Sequence, residues 1–145
     1  MSLINAAHTP PLVINPQATV YEACEKMKER NVGAIVVTSP SEQPIGVLTE
    51  RDVLQRVVVP GLDARTTTVQ QVMTSPCLAI PVDRTVDDAL HVLLGKTAFH
   101  LAVVDENKRL VGVVSYRTLL RQQIENLNAE VDHLSAYMGY DGGGD

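Results

Sequence analysis

Gly46-Val47-Leu48-Thr49-Glu50-Arg51-Asp52 decides the fold, because Gly112-Val113-Val114-Ser115-Tyr116-Arg117-Thr118 says it again 66 positions later. Outward from that stretch, the same shift lays Thr85-Val86 on Thr19-Val20, Ala89 on Ala23, Val103 on Val37 and Leu120 on Leu54, with no gap needed from Leu3 to Val57. A repeat this long is a supersecondary unit, and two copies complete each other's core. Function is therefore expected at the seams between the halves.

Each copy reads strand, helix, strand, strand, helix. In the first, Leu12-Val13-Ile14 is a short apolar run between Pro11 and Pro16. Val20, Ala23, Cys24 and Met27 then fall at helical spacing behind a Thr19-x-x-Glu22 capping box. Ala34 to Thr38 is a β-branched run, Ser39 to Pro44 is turn chemistry, Ile45 to Thr49 is the returning strand, and a helix runs from Glu50 to Val58 before Pro60-Gly61. The second copy repeats this order with Leu78-Ala79-Ile80, the Val86 to Leu94 stripe after Thr85-x-x-Asp88, Leu101 to Val104, the Asp105 to Arg109 turn, Val111 to Ser115, and a helix from Tyr116. Thr68 to Met73 reads as one capped helical turn between the copies. The expected division is repeat one over 1–60, repeat two over 61–122, and a helix with a Gly-rich tail over 123–145.

Hydrophobic residues are 45% of the 145, enough for a core, but aromatics are only 3%, so that core must be aliphatic. The formal charge is −5, and most of it lies in the tail from Arg121 onward, which leaves the body near neutral. No basic face is available for DNA or RNA. Cys24 and Cys77 have no CxxC spacing, and the position of Cys24 on an apolar stripe reads as a buried thiol. With neither a membrane-length apolar run nor a signal-peptide pattern at the start, a cytoplasmic setting is expected.

Leu120, Ile124, Leu127, Val131, Leu134 and Met138 are spaced 4, 3, 4, 3, 4. That is a coiled-coil seam continuing the last helix. The other reading is an amphipathic helix folded back on its own domain. Asp141 to Asp145 reads as solvent-exposed chain.

Chemistry centres on Thr49-Glu50-Arg51-Asp52. A strand delivers Thr49 to a helix mouth, where free N–H groups and the dipole suit an anion. A hydroxyl there suits a phosphate oxygen, a carboxylate one turn on takes ribose hydroxyls as acids do in dinucleotide sites, and Arg51 adds a cation. Gly46 admits another backbone or a flat base. Thr49-x-x-Asp52 is equally an ordinary capping box, and both readings stay open.

These marks resemble a pair of cystathionine-β-synthase (CBS) domains, often called a Bateman module: Gly46 to Leu54, Val69-x-x-Val72-Met73-Thr74, and Val103-Val104-Asp105-Glu106 before Gly112-Val-Val-Ser115. The resemblance covers about Leu3 to Arg121 and implies an α/β fold of the α+β kind, two β-α-β-β-α repeats with pseudo-twofold symmetry. It also implies flat dimers and clefts for adenosine compounds: AMP, ADP, ATP, S-adenosylmethionine or cyclic dinucleotides, none an obligatory cofactor. Carried over, one cleft joins Thr49, Arg51 and Asp52 to Cys77, Leu78 and Ile80, completed by Ala98, Phe99 and His100. Its apolar members sandwich the adenine. His100 either faces a phosphate or is a strand histidine bonded locally, and Phe99 is either a stacking surface or core.

The second cleft joins Ser115, Arg117 and Thr118 to Leu12, Ile14, Val32, Gly33 and Ala34. Thr118 replaces the ribose-holding acid. Losing a charged hydrogen bond costs roughly 1.5–3 kcal/mol, about one to two decades of affinity, so this cleft is expected to be weaker, empty or tuned to a different ligand.

Catalysis has little support. His8, His91, His100 and His133 lack metal-ligand spacing, and there is no GxSxG turn or Walker loop. Asp87-Asp88 opens a helix, where acids favour the dipole. The expected function is a regulatory adenine-nucleotide sensor, homodimeric and acting in trans on a protein partner, with neither nucleic acid nor membrane involved. The alternative is a ligand-free dimeric adaptor working through its last helix.

Overall fold

A computed structural model describes residues 3–96 and 98–137, so Met138 and the Gly-rich end lie outside the described residues. The element order is a 3-10 turn (Leu3–Ala6), β1 (Val13–Ile14), α1 (Val20–Arg30), β2 (Ala34–Thr38), β3 (Pro44–Thr49), α2 (Glu50–Val53), a π-helical continuation (Leu54–Val58), α3 (Val69–Val72), β4 (Ala79–Pro81), α4 (Val86–Lys96), β5 (His100–Val104), β6 (Leu110–Ser115) and α5 (Tyr116–Tyr137). This α+β architecture is two three-stranded sheets, β1-β2-β3 and β4-β5-β6. In each the outer pair is parallel and the hairpin antiparallel.

The duplication holds to the single residue. Ala34 faces Thr49 as His100 faces Ser115, and the register slips after Val37 as it does after Val103. Both hairpin turns carry one left-handed residue, Glu42 and Lys108, each at φ 65°. Full capping boxes form at Thr49/Asp52 and Thr85/Asp88. At Thr19 one arm forms, from the Glu22 amide, and at Thr68 the amide donates to Gln71 Oε1.

The two cores exchange their lead-in segments. Leu3, from the start of the chain, is buried with Ile80, Leu93, Leu101 and Leu119. Val69 and Val72, from the linker, are buried with Ile14, Met27, Ile35 and Leu48. Backbone bridges follow the same pattern: His8 joins Val113 and Thr74 joins Val47. Gly46 makes that second bridge possible, since a Cβ there would come 2.5 Å from Met73 Sδ and 3.1 Å from the Thr74 carbonyl. The glycine thus admits a backbone. Arg56 locks the linker by donating from Nη1 to the carbonyls of Val72 and Met73, 3.0 Å each.

Three local expectations change. Cys24 is half-buried against the first core rather than enclosed. The helix from Glu50 widens to π geometry, with the Val59 amide reaching the Leu54 carbonyl at 3.0 Å. The last helix does not fold back: α5 is one 22-residue helix in which Leu119 alone is buried.

Candidate functional site

A cavity of about 1030 Å³ lies between the Ala34/Thr49 end of one sheet and the His100/Ser115 end of the other. That is at the upper end of small-molecule sites, about 300–1,000 Å³. Leu12, Val32, Gly33 and Ala34 come from the first repeat, and Ser115, Arg117 and Thr118 from the second helix mouth. These are the expected second-cleft residues, save Ile14, which is sealed in the first core.

Phe99 and His100, expected in the first cleft, line this cavity too. β5 pairs His100 with Ser115, so this strand start sits beside its own repeat's helix mouth. The Tyr116 amide then donates to the Phe99 carbonyl at 2.8 Å, and the two rings meet edge to face, 6.4 Å apart. In the first repeat the Glu50 amide donates to the Gly33 carbonyl at 3.0 Å. Without a side chain, Gly33 leaves room for the Glu50 carboxylate, whose Oε1 would be 2.6 Å from a Cβ.

Asp52 is not among the cavity's lining residues. It is buried, and its oxygens are taken: Oδ2 accepts from the Thr49 amide at 3.0 Å, and Oδ1 accepts from Thr74 Oγ1 at 3.1 Å with Arg56 Nε at 3.9 Å. Ile80 belongs to the second core, and Leu78 and Ala98 pack against it. Cys77 donates weakly to the Leu78 carbonyl, and burial pushes its thiol up to about 11. Arg51 is exposed at the surface.

The second mouth is built from hydroxyls alone. Thr118 donates from its amide to Ser115 Oγ at 3.2 Å and accepts at Oγ1 from the Ser115 amide at 3.1 Å. Two of the first three amides of α5, those of Tyr116 and Thr118, are therefore engaged. The cations of the cavity are side chains: Arg30, Arg117 and Arg121 line it together with Glu50 and Glu125. Arg30 is fixed by donating to the Pro10 carbonyl at 2.9 Å. Burial, then the neighbouring His8, holds the His100 proton affinity below its ordinary value, with Glu50 opposing. Leu12, Val32, Ala34 and Val113 supply apolar wall.

The CBS domain model matches twice, over residues 4–59 and 69–125. The chain belongs to the CBS domain family. Its two CBS repeats coincide with the two sheets above. The CBS domain-containing protein YhcV of Bacillus subtilis is 33% identical over 123 residues, covering 83% of this chain and 84% of that protein. An uncharacterized protein of Methanopyrus kandleri is 30% identical over 107 residues, covering 74% of this chain but only 55% of its own length. Among solved structures, a CBS domain protein from Pyrobaculum aerophilum complexed with AMP superposes with TM-score 0.75 at 28% identity, over 81% of this chain and 89% of that one.

Among the described residues, no group of three or more His, Cys, Asp or Glu is placed to hold a metal, and no helix is long and apolar enough to cross a membrane. His8, Arg30, Glu50, Tyr116 and Arg121 are cavity residues that sequence reasoning missed. The 66-residue shift carried the signal for two of them: Tyr116 is the counterpart of Glu50, between positions already singled out.

Proposed function

We propose that this CBS pair is a regulatory module that binds an adenosine phosphate in the cavity shared by its two repeats. One observation carries the reading: a cavity lined by both repeats that joins aliphatic wall, Leu12, Val32, Ala34 and Val113, to the arginines of α5. The apolar wall suits a purine, and Arg117 and Arg121 suit a phosphate, since guanidinium and phosphate pair in a charge-assisted fork. Of the two carboxylates that line the cavity, Glu50 and Glu125, we assign Glu50, beside Gly33, to the ribose hydroxyls, since Asp52 does not line the cavity and already accepts from Thr49 and Thr74. The AMP complex of the Pyrobaculum relative supports an adenosine ligand.

A ligand here touches both repeats. It acts only by binding one arrangement of them better than another, and that difference is the whole of its signal. The receiver is a partner protein acted on in trans or the second subunit of a homodimer, in a cytoplasmic setting.

Calorimetric titration with AMP, ADP, ATP, S-adenosylmethionine and adenosine tests the reading. The expected result is saturable binding of at least one phosphate-bearing nucleotide and a raised melting temperature in its presence. No binding of any of the five removes the sensor and leaves the ligand-free adaptor, for which the exposed stripe of α5 speaks.

A further inference from the structure

We infer that Arg30 couples the cavity to a strap, residues 7–11, which a phosphate in the cavity holds shut; the phosphate is that of the nucleotide proposed above, whereas the fastening by Arg30 stands without it. The strap is one of two matching crossings. Thr74 crosses the first sheet at Val47, and His8 crosses the second at Val113. Counterpart glycines admit them: a Cβ at Gly112 would come 3.0 Å from Ala7 Cβ and 3.3 Å from Thr9 Cγ2, as one at Gly46 would strike Met73.

The two crossings share a backbone path but not a fastening. Thr74 and Val47 exchange both backbone bonds at 2.9 Å. Arg56 then holds the carbonyls of Val72 and Met73, and the Thr74 hydroxyl donates to Asp52. At the strap the His8 amide donates to the Val113 carbonyl at 2.8 Å, but the return bond is 3.4 Å. Gln122 stands in the place of Arg56 and bonds Asn126, and Thr118 stands in the place of Asp52 and bonds Ser115. His8, Thr9 and Pro10 are exposed, and Pro10 and Pro11 have no N–H to give.

Among the described residues one side chain fastens the strap, and it comes from the other repeat. Arg30 Nη2 donates to the Pro10 carbonyl at 2.9 Å. Arg30 is the last residue of α1 and lines the cavity, as does His8. A guanidinium carries five N–H donors in a planar fork, so it can keep Pro10 and still offer donors to an oxygen in the cavity. Alone, the Pro10 bond holds weakly, because water competes for both exposed groups. Segments fastened in this way open at low free energy. A phosphate on the same fork orders the long side chain, and the bond to Pro10 then forms at a smaller entropic cost. Coupling is reciprocal, so the shut strap favours the ligand by the same factor. The other end of the strap leads to Leu3, buried beside Leu119 in the second core, so occupancy of the cavity is carried into the N-terminal lead-in.

Amide hydrogen exchange of the full chain, followed by NMR at His8 with Thr74 as the internal control, tests the coupling. Without ligand, Arg30→Met should speed exchange at His8 by about twofold to tenfold, the range one net hydrogen bond supports, and leave Thr74 unchanged. Saturating the parent with the tightest binder of AMP, ADP and ATP should slow His8 at least about fivefold more than Thr74, the lower end of ordinary coupling between sites. That excess should vanish in Arg30→Met at saturation, since Arg117 and Arg121 still hold the phosphate there. Unchanged His8 exchange in the ligand-free variant overturns the fastening. Equal slowing of His8 and Thr74 is global stabilisation by ligand and overturns the coupling, as does an excess that persists in Arg30→Met. Binding of none of the three nucleotides fails the cavity reading and removes the ligand from the coupling, and the ligand-free comparison then decides the fastening by itself.

Discussion

Thr49-Glu50-Arg51-Asp52 and Ser115-Tyr116-Arg117-Thr118 occupy the same backbone, 66 residues apart, and do opposite things. At the first mouth a carboxylate closes a capping box and reaches Thr74 and Arg56, so it is buried with a bond accepted on each oxygen. At the second, the acid is a threonine, and the residues in the places of Thr74 and Arg56 are His8 and Gln122. Gln122 turns instead to Asn126. Acid and arginine are replaced together, and this is the mouth at which the cavity opens, faced by Arg117 and Arg121. An acid at a helix entrance identifies a sugar site only after its own lone pairs have been counted.

The largest effect expected from this contrast is on phosphate recognition. Arg117→Ala with Arg121→Ala removes two guanidiniums whose charged hydrogen bonds are each worth about 1.5–3 kcal/mol, so nucleotide affinity should fall by about two decades or more. Adenosine, lacking the phosphate, should bind both proteins alike in calorimetry. An equal loss for adenosine means the arginines shape the pocket rather than hold the anion.

A smaller effect, and on a different quantity, is expected at the first mouth. Asp52→Ala deletes one arm of a cap and leaves Thr74 and Arg56 without their acceptor, which should cost about 1–2 kcal/mol in urea unfolding. Nucleotide affinity should stay within a factor of about three once the variant is folded. A collapse of affinity with unchanged stability returns Asp52 to the role its position in the sequence implies.

The fold was legible because duplication is a backbone property. The order of strands and helices, the two hairpin turns and the cap at Thr85 all follow from residue types at fixed offsets. The exchange of lead-in segments was not legible. Leu3 and Val69 look alike in either core, and which sheet each one covers depends on how the chain crosses between repeats. Most of the cavity wall could be named from the strand starts and helix mouths, but Phe99 and His100 were expected opposite Asp52 and line the cavity at Ser115 and Thr118. Glu50 escaped notice because nothing in its own stretch says that Gly33 leaves space for its carboxylate.

The smallest effect sharpens the contrast by proton. Ala34 and His100 are counterparts, so only the second mouth carries an imidazole at its strand start. Burial and the neighbouring His8 depress its proton affinity, while Glu50 partly restores it. The unfolded chain takes up this proton near pH 6.5, whereas the folded chain resists until lower pH. In that window the unfolded state holds more protons, so stability rises with pH there and is lost as pH falls from about 7 toward the depressed value. His100→Gln should flatten this part of the urea-unfolding profile, and an identical slope in the variant excludes His100 as its source. A bound phosphate reverses the balance by favouring the imidazolium. Nucleotide binding below neutral pH should then draw in protons, read as a dependence of the calorimetric heat on the ionisation enthalpy of the buffer. The dependence should weaken in His100→Gln, and if it does not, the phosphate lies too far from the imidazole for the cavity to be occupied as proposed.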